Sequence, residues 1–294
     1  MRTFLSVALV GLLLCPSLAL CWWDEGHQVV ARVAARHLTP AALLRVSQLL
    51  EVDNTPEAVA DAMAAASVWA DQVKGDTGTA SWHFIDLNWQ DSRTNLSDRC
   101  PNDDCATARV RMFATQLKAN DPDADSRFTD EDALRFLIHF VADLHQPLHA
   151  STNADQGGNC EQLAMGVDDA ANLHALWDGP LVGRMGVDDK ALAAELNDEL
   201  DQSTDQDRVA AATGTEEDWA WESHRVALAS IYKRLDMAKM DAASPATCAE
   251  APDEVRRSSV IVDEKYLDEM RPVVREQLKK AGLRLARLLN DIFS

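Results

Sequence analysis

The stretch ALRFLIHFVADLHQPLHA, residues 133–150, is apolar on almost every face of a helix, so a chain that contains it must enclose it on all sides. It nevertheless carries His139, Asp143, His145 and His149. A bare carboxylate in such a place is strongly disfavoured unless it is paired or binds a metal. His139 and Asp143 are four residues apart and share a helix face, so one ion can be held by both. Pro147 ends or kinks the helix, which re-aims His149 toward a neighbouring point.

The surrounding sequence supplies helices to do the enclosing. Thr39-Pro40 and Thr55-Pro56 each pair a capping residue with proline at the first helical position. Further helices are predicted near 25–37, 104–119, 130–146, 188–202, 216–236 and 263–292 from apolar residues at helical spacing. Within the last, Gly282 marks a tight packing contact or a local bend. The runs 75–103 and 151–160 read as loops, and strand signals are scarce. With no repeat and no low-complexity linker, the reading is a mainly α, single helical domain.

Residues 1–21 read as a cleaved signal peptide: Arg2, an apolar core over 4–14, and Ala19-Leu20-Cys21 as a cleavage site, leaving Trp22 first. An uncleaved anchor and a lipidated Cys21 are the competing readings. Cleavage leaves Cys100, Cys105, Cys160 and Cys248, an even number suited to disulfides in an exported chain. Cys100 with Cys105 closes a small loop and Cys160 with Cys248 ties distant segments, although four cysteines allow other pairings and "CPNDDC" also suits a zinc site. The formal net charge of −20 becomes −21 once the single charge of Arg2 is removed. That surface excludes a scaffold that binds nucleic acid through a broad basic patch. It permits an enzyme in which bound cations create a local positive site.

The spacing of His139 and Asp143 recurs at His174 and Asp178 in "NLHALWD". "SVWADQVK" places Asp71 late in a helix, "SWHFID" brings in His83, and "WWDEGH" puts His27 five residues after Trp22. Taken singly, each is more often a satisfied core histidine or a helix cap than a ligand. Together they form a histidine and aspartate set suited to Zn²⁺. Of the remaining histidines, His145 reads as structural, His37 as a cation at a helix end, and His224 as facing solvent.

Those segments, with "GGN" and the closing "LRLARLLNDIF", fall in the order found in the zinc-dependent single-strand-specific nucleases of the fungal S-one and P-one type, which the chain resembles over 22–294. The resemblance implies a single helical domain of the type shared with zinc-dependent phospholipase C, holding three Zn²⁺ ions. It assigns the first ion to Asp71, His83, His139 and Asp143, the second to His149, His174 and Asp178, and the third to His27, Asp143 and Trp22 through its freed α-amino nitrogen and carbonyl oxygen. It also implies in-line attack on phosphorus by hydroxide held between the paired ions. Single-stranded DNA and RNA are then cut to 5′-phosphate products, with 3′-nucleotidase activity. Asp71, Asp143, Lys74 and Asn159 carry the catalysis, and Lys74 and Asn159 contact phosphate. Phe84 stacks on a base and Asp86 reads its edge.

By the same resemblance the enzyme is a secreted or periplasmic monomer without stable membrane association. Two departures stand out: Trp23 replaces a glycine common in the family, and the segment following Asn159 matches poorly. The sequon at Asn95 matters only in a host that glycosylates exported proteins. The alternatives are a zinc-dependent phospholipase C, against which the Trp22–His27 spacing, "HFID" and Asp178 argue, and a non-catalytic zinc-binding helical protein.

Overall fold

Helix α1 (Asp24–Arg36) begins with two acidic residues, Asp24 and Glu25, at the end where the helix dipole favours negative charge. The computed structural model describes residues 24–119, 127–168 and 170–294. The expected signal peptide, Trp22 and Trp23 lie outside the described residues. Helices α2 (Pro40–Leu49) and α3 (Pro56–Ala66) start as read, with Thr39 and Thr55 accepting hydrogen bonds from the N–H groups of Ala42 and Ala58. At Ser67 the hydroxyl bonds back to the Ala64 carbonyl, and the chain restarts as α4 (Trp69–Thr77). Asp71 therefore sits in the first turn of a new helix, not late in a long one as the sequence suggests.

Helix α5 (Ala106–Ala119) lies along α6 (Asp130–Asp143), the helix foreseen at the centre. Thr129 and Asp132 form a reciprocal capping box at the start of α6. Leu134 and the whole run from Phe136 to Asp143 are completely buried. Phe136 and Phe140 pack with Phe113 and Trp82, and α1, α4 and α13 close the other sides. Pro147 stops the helix as expected, and residues 147–150 continue as a 3₁₀ turn.

A small sheet, in the order β2-β1-β3, joins β1 (Gln162–Val167) and β2 (Ala170–Asn172) in an antiparallel pair with β3 (Ser259–Val260) parallel to β1. This sheet occupies the poorly matching segment after Asn159. It delivers Asn172, whose side chain caps α7 (Leu173–Asp178). The short α8 (Pro180–Gly183) follows, then α9 (Asp189–Gln202), α10 (Asp205–Ala212) and α11 (Glu216–Val226). The helix expected to run to 236 instead widens into a π-helical turn, Ala227–Tyr232, whose last residue donates its hydroxyl to buried Asp155 at 3.2 Å. After α12 (Asp253–Arg256), the long α13 (Glu264–Ile292) packs against α1. Gly282 is a close contact: a Cβ there would lie 2.4 Å from Cγ1 of Val33. One hydrophobic core runs from Val29 to Ile292.

Disulfides join Cys100 to Cys105 and Cys160 to Cys248, which leaves no thiolates for a zinc site in "CPNDDC". Among the described residues no helix is long and apolar enough to cross a membrane. His37 is not a helix-end cation: burial lowers its pKa, and its Nε2 lies 3.1 Å from Oδ1 of Asn197.

His224 does not face solvent. It is fully buried, with Nδ1 2.9 Å from Oγ of Ser151. Its charged neighbours Glu222 and Arg225 occupy other faces of α11, so local composition misleads about which face turns inward. Burial lowers its pKa from 6.5 to about 4. The unfolded chain thus takes up a proton below pH 6.5 that the folded protein refuses until about pH 4. Stability is lost as pH falls through that window, by about 3 kcal/mol for this group alone. Urea denaturation at both ends of the window should show a smaller loss for His224→Gln than for the wild-type chain. Equal losses would contradict this.

Candidate metal centre

Three groups of side chains converge around the C-terminal end of α6. His27, His139 and Asp143 form one, Asp71, His83 and His139 a second, and His149, His174 and Asp178 a third. In each group, ligand-capable atoms lie within 4.8 Å of one another. Asp143 links them. Its Oδ2 is 3.0 Å from Nδ1 of His83 and 3.1 Å from Nε2 of His139. Its Oδ1 is 3.2 Å from Nδ1 of His149 and 3.5 Å from Nε2 of His27. The imidazoles of His27 and His139 stack at 3.9 Å, and those of His149 and His174 at 5.0 Å.

Backbone carbonyls fix how several of these rings point. Nδ1 of His139 lies 2.6 Å from the Ser67 carbonyl, Nδ1 of His149 is 3.0 Å from that of His83, and Nδ1 of His174 is 2.7 Å from that of Gly157. An Nδ1–H donated to a carbonyl leaves the Nε2 lone pair facing inward, the tautomer a metal requires. The glycine pair of "GGN" makes one of these contacts sterically accessible. Gly157 has φ +60°, and a Cβ on it would come within 2.4 Å of the Leu148 carbonyl oxygen.

The donor set fits a metal. Both ring nitrogens of His27, Oδ1 of Asp143, Nε2 of His149 and Oδ2 of Asp178 are buried without a hydrogen bond. Such atoms are costly unless something else satisfies them. The electrostatics point the same way. Burial pushes the His149 imidazole down, yet Asp143 and Asp178 outweigh it and raise its pKa to about 10. Burial also opposes ionisation of Asp143, but His139 and His149 hold it well below the ordinary carboxylate range. His27, buried and stacked on His139, is lowered to about 3 and remains a neutral donor. Asp143 and Asp178 thus favour positive charge at His149.

A cavity of about 490 Å³ opens beside it. His83, His149 and His174 form its floor, and Lys74, Phe84, Asp86 and Asn159 also line it. Phe84 is 40% exposed and so is not a core residue. Lys74 is no ordinary solvated lysine: it is half-buried and donates to Oδ1 of Asp71 at 3.0 Å. Burial raises the pKa of Asp86 to about 6. His145 stays out of the centre, held by the Val141 carbonyl and Arg284.

The sequence model of the S1/P1 Nuclease family matches residues 22–294. The chain belongs to the S1/P1 nuclease family. Endonuclease 3 of Arabidopsis thaliana is 28% identical over 282 residues, covering 94% of this chain and 90% of the relative. Nuclease S1 of Aspergillus oryzae is 27% identical over 293 residues, with 93% and 92% covered. Nuclease P1 of Penicillium citrinum is 29% identical over a shorter span of 167 residues. The match favours a nuclease, a hydrolase of phosphodiester bonds, over a phospholipase C.

Sequence reasoning missed two features of this S1/P1 nuclease. Gln146 donates from Nε2 to Oδ1 of Asp178 at 2.6 Å, while its Oε1 accepts from the Leu148 N–H at 2.6 Å. Its place just before Pro147, where the backbone is extended, is the signal that could have found it. The other is the far cavity wall, residues 244–246, whose sequence carries no chemical signature. Gln146→Ala should weaken metal retention by the His149, His174 and Asp178 group about tenfold to hundredfold, as partners behind a ligand typically do. Chelator competition monitored by metal release measures this, and unchanged retention would contradict it.

Proposed function

We propose that this family member is an extracellular or periplasmic zinc-dependent endonuclease, cutting single-stranded DNA and RNA to 5′-phosphate products and removing 3′-phosphates from nucleotides. The observation that carries the reading is an exposed aromatic ring, Phe84, in the same cavity as Asp86, Lys74 and the imidazoles of the centre. A flat ring beside a phosphate-sized cationic position is what a nucleotide needs and a lipid does not. A base must leave its stack to reach such a ring, which gives the preference for single strands.

Asp71, His83, His139 and Asp143 would hold one zinc, His149, His174 and Asp178 a second, and His27, Asp143 and Trp22 a third. Cleavage after Cys21 would free the Trp22 amine, since an amide nitrogen is no amine ligand. Zinc in such a site supplies Lewis-acid charge and acidifies water. The chain's own residues do the rest. Lys74 meets a phosphate oxygen with its ammonium, and the Asn159 amide, itself anchored to the Gln156 carbonyl at 2.9 Å, donates to another. Asp71, held by Lys74, orients the attacking water. Phe84 stacks on the base and Asp86 accepts from its edge. Disulfides of an oxidising compartment support export, and the reading takes the enzyme to be a monomer without stable membrane association.

Stacking on one base is worth about 1–3 kcal/mol. Phe84→Ala should therefore lower kcat/KM for 3′-nucleotides about tenfold to hundredfold, with a smaller loss on the abasic ribose 3-phosphate. Equal losses on both substrates would count against base stacking.

A further inference from the structure

Asp155 has no exposure to solvent and lies in the turn that leads to Asn159. Its Oδ1 accepts from the Asn153 N–H at 2.9 Å and from the Tyr232 hydroxyl at 3.2 Å. Its Oδ2 is buried without a hydrogen bond. Its carbonyl accepts from the Cys160 N–H at 2.9 Å. One residue thus ties both ends of the turn 153–160. Between those ties the backbone is left-handed at Ala154, Gln156, Gly157 and Gly158. At Ala154 and Gln156, which carry a Cβ, such backbone is costly and persists only where the surroundings hold it in place.

The Tyr232 hydroxyl reaches Asp155 from outside the turn. Tyr232 is fully buried at the end of the π-helical segment Ala227–Tyr232, and its ring packs against Trp89 with centroids 5.7 Å apart. Single π-helical turns are rare and frequently mark functional sites. Burial, with Asp155 beside it, holds the phenol well above its ordinary range, so the hydroxyl keeps its proton and donates. The Gln156 carbonyl follows Asp155 by one residue and accepts from the Asn159 amide at 2.9 Å. Asn159 lines the cavity. A shift of the backbone at Asp155 is therefore passed to the Asn159 amide through one hydrogen bond.

We propose that Tyr232 is a positioning residue for the phosphate contact, acting through Asp155 to set the turn that aims the Asn159 amide into the cavity. The inference rests on the reading of Asn159 as a phosphate contact. A donor that is free to shift stabilises charge developing on phosphate less than one held in place. The effect falls on kcat, because the contact counts most in the transition state. His174 is secured separately: it sits in α7, whose N-terminus is capped by the Asn172 side chain at 2.8 Å. Loss of the Tyr232 hydroxyl should therefore spare the metal centre.

The test measures kcat, KM and zinc content for the wild-type chain, Tyr232→Phe, Asn159→Ala and the double variant, with adenosine 3′-monophosphate as substrate. Tyr232→Phe removes the hydroxyl and keeps the ring. Its kcat should fall about fivefold to tenfold, the worth of one hydrogen bond, with KM within about twofold of wild type and zinc content unchanged. The double variant should lose no more than about twofold beyond Asn159→Ala, because the two residues act along one path. Losses that multiply in the double variant mark a merely structural role and overturn the proposal. So does a lower zinc content in Tyr232→Phe, which would place the effect at the metal ligands. If Asn159→Ala lowers kcat while Tyr232→Phe leaves it intact, this inference alone fails. If Asn159→Ala leaves kcat intact, the reading of Asn159 fails and the inference with it.

Discussion

Asp143 is a carboxylate with no exposure to solvent, lying within 3.2 Å of the imidazoles of His83, His139 and His149. Everything around the centre follows from the need to keep that charge tolerable. Paired charges inside a protein repay their desolvation only when geometry is good and the remaining polar atoms are satisfied. Here the imidazoles are themselves buried, and Nε2 of His149 and both ring nitrogens of the neighbouring His27 have no hydrogen bond. A closed network of protein groups would not leave such atoms bare. A centre built to receive cations would.

The fold supplies the required rigidity by interrupting its helices where ligands are needed. The break at Ser67 turns a carbonyl onto His139 and starts α4 in time to place Asp71. Pro147 ends the central helix, so that His149 reaches Asp178 while His139 faces His83. The turn before Asn159, with left-handed backbone at Ala154, Gln156, Gly157 and Gly158, sends one carbonyl to His174 and the Gln156 amide to the cavity wall. At this turn the chain trades backbone strain for position.

Most of the architecture could be read from the chain because it rests on local rules. Thr39, Thr55 and Thr129 cap their helices through interactions three residues long, and the buried apolar run of α6 announces itself. Residue chemistry and the repeated four-residue spacing marked His27, His83, His139 and His174 as a set suited to zinc, and their convergence was implied by the resemblance. What escaped depends on contacts distant in sequence. His224 turns inward because Ser151 waits for it, not because of its own neighbours. Residues 244–246 form a cavity wall held by the Gln156 amide, with Asn88 and Asn153 fixing the backbone just before them, all far earlier in the chain. Gln146 lay between two singled-out histidines, and only its place just before Pro147 marked it. Asp71 was found, yet its helix was misread because the Ser67 break depends on one hydroxyl bonding back to its own helix.

A zinc centre built from this buried set of imidazoles and carboxylates makes the ions integral to the enzyme. Elemental analysis of the purified protein, secreted and folded in the presence of zinc and then exhaustively dialysed, tests it most directly. About three zinc ions per chain are expected to remain, bound at histidine and carboxylate donors. A metal-free chain that retains full nuclease activity would contradict it.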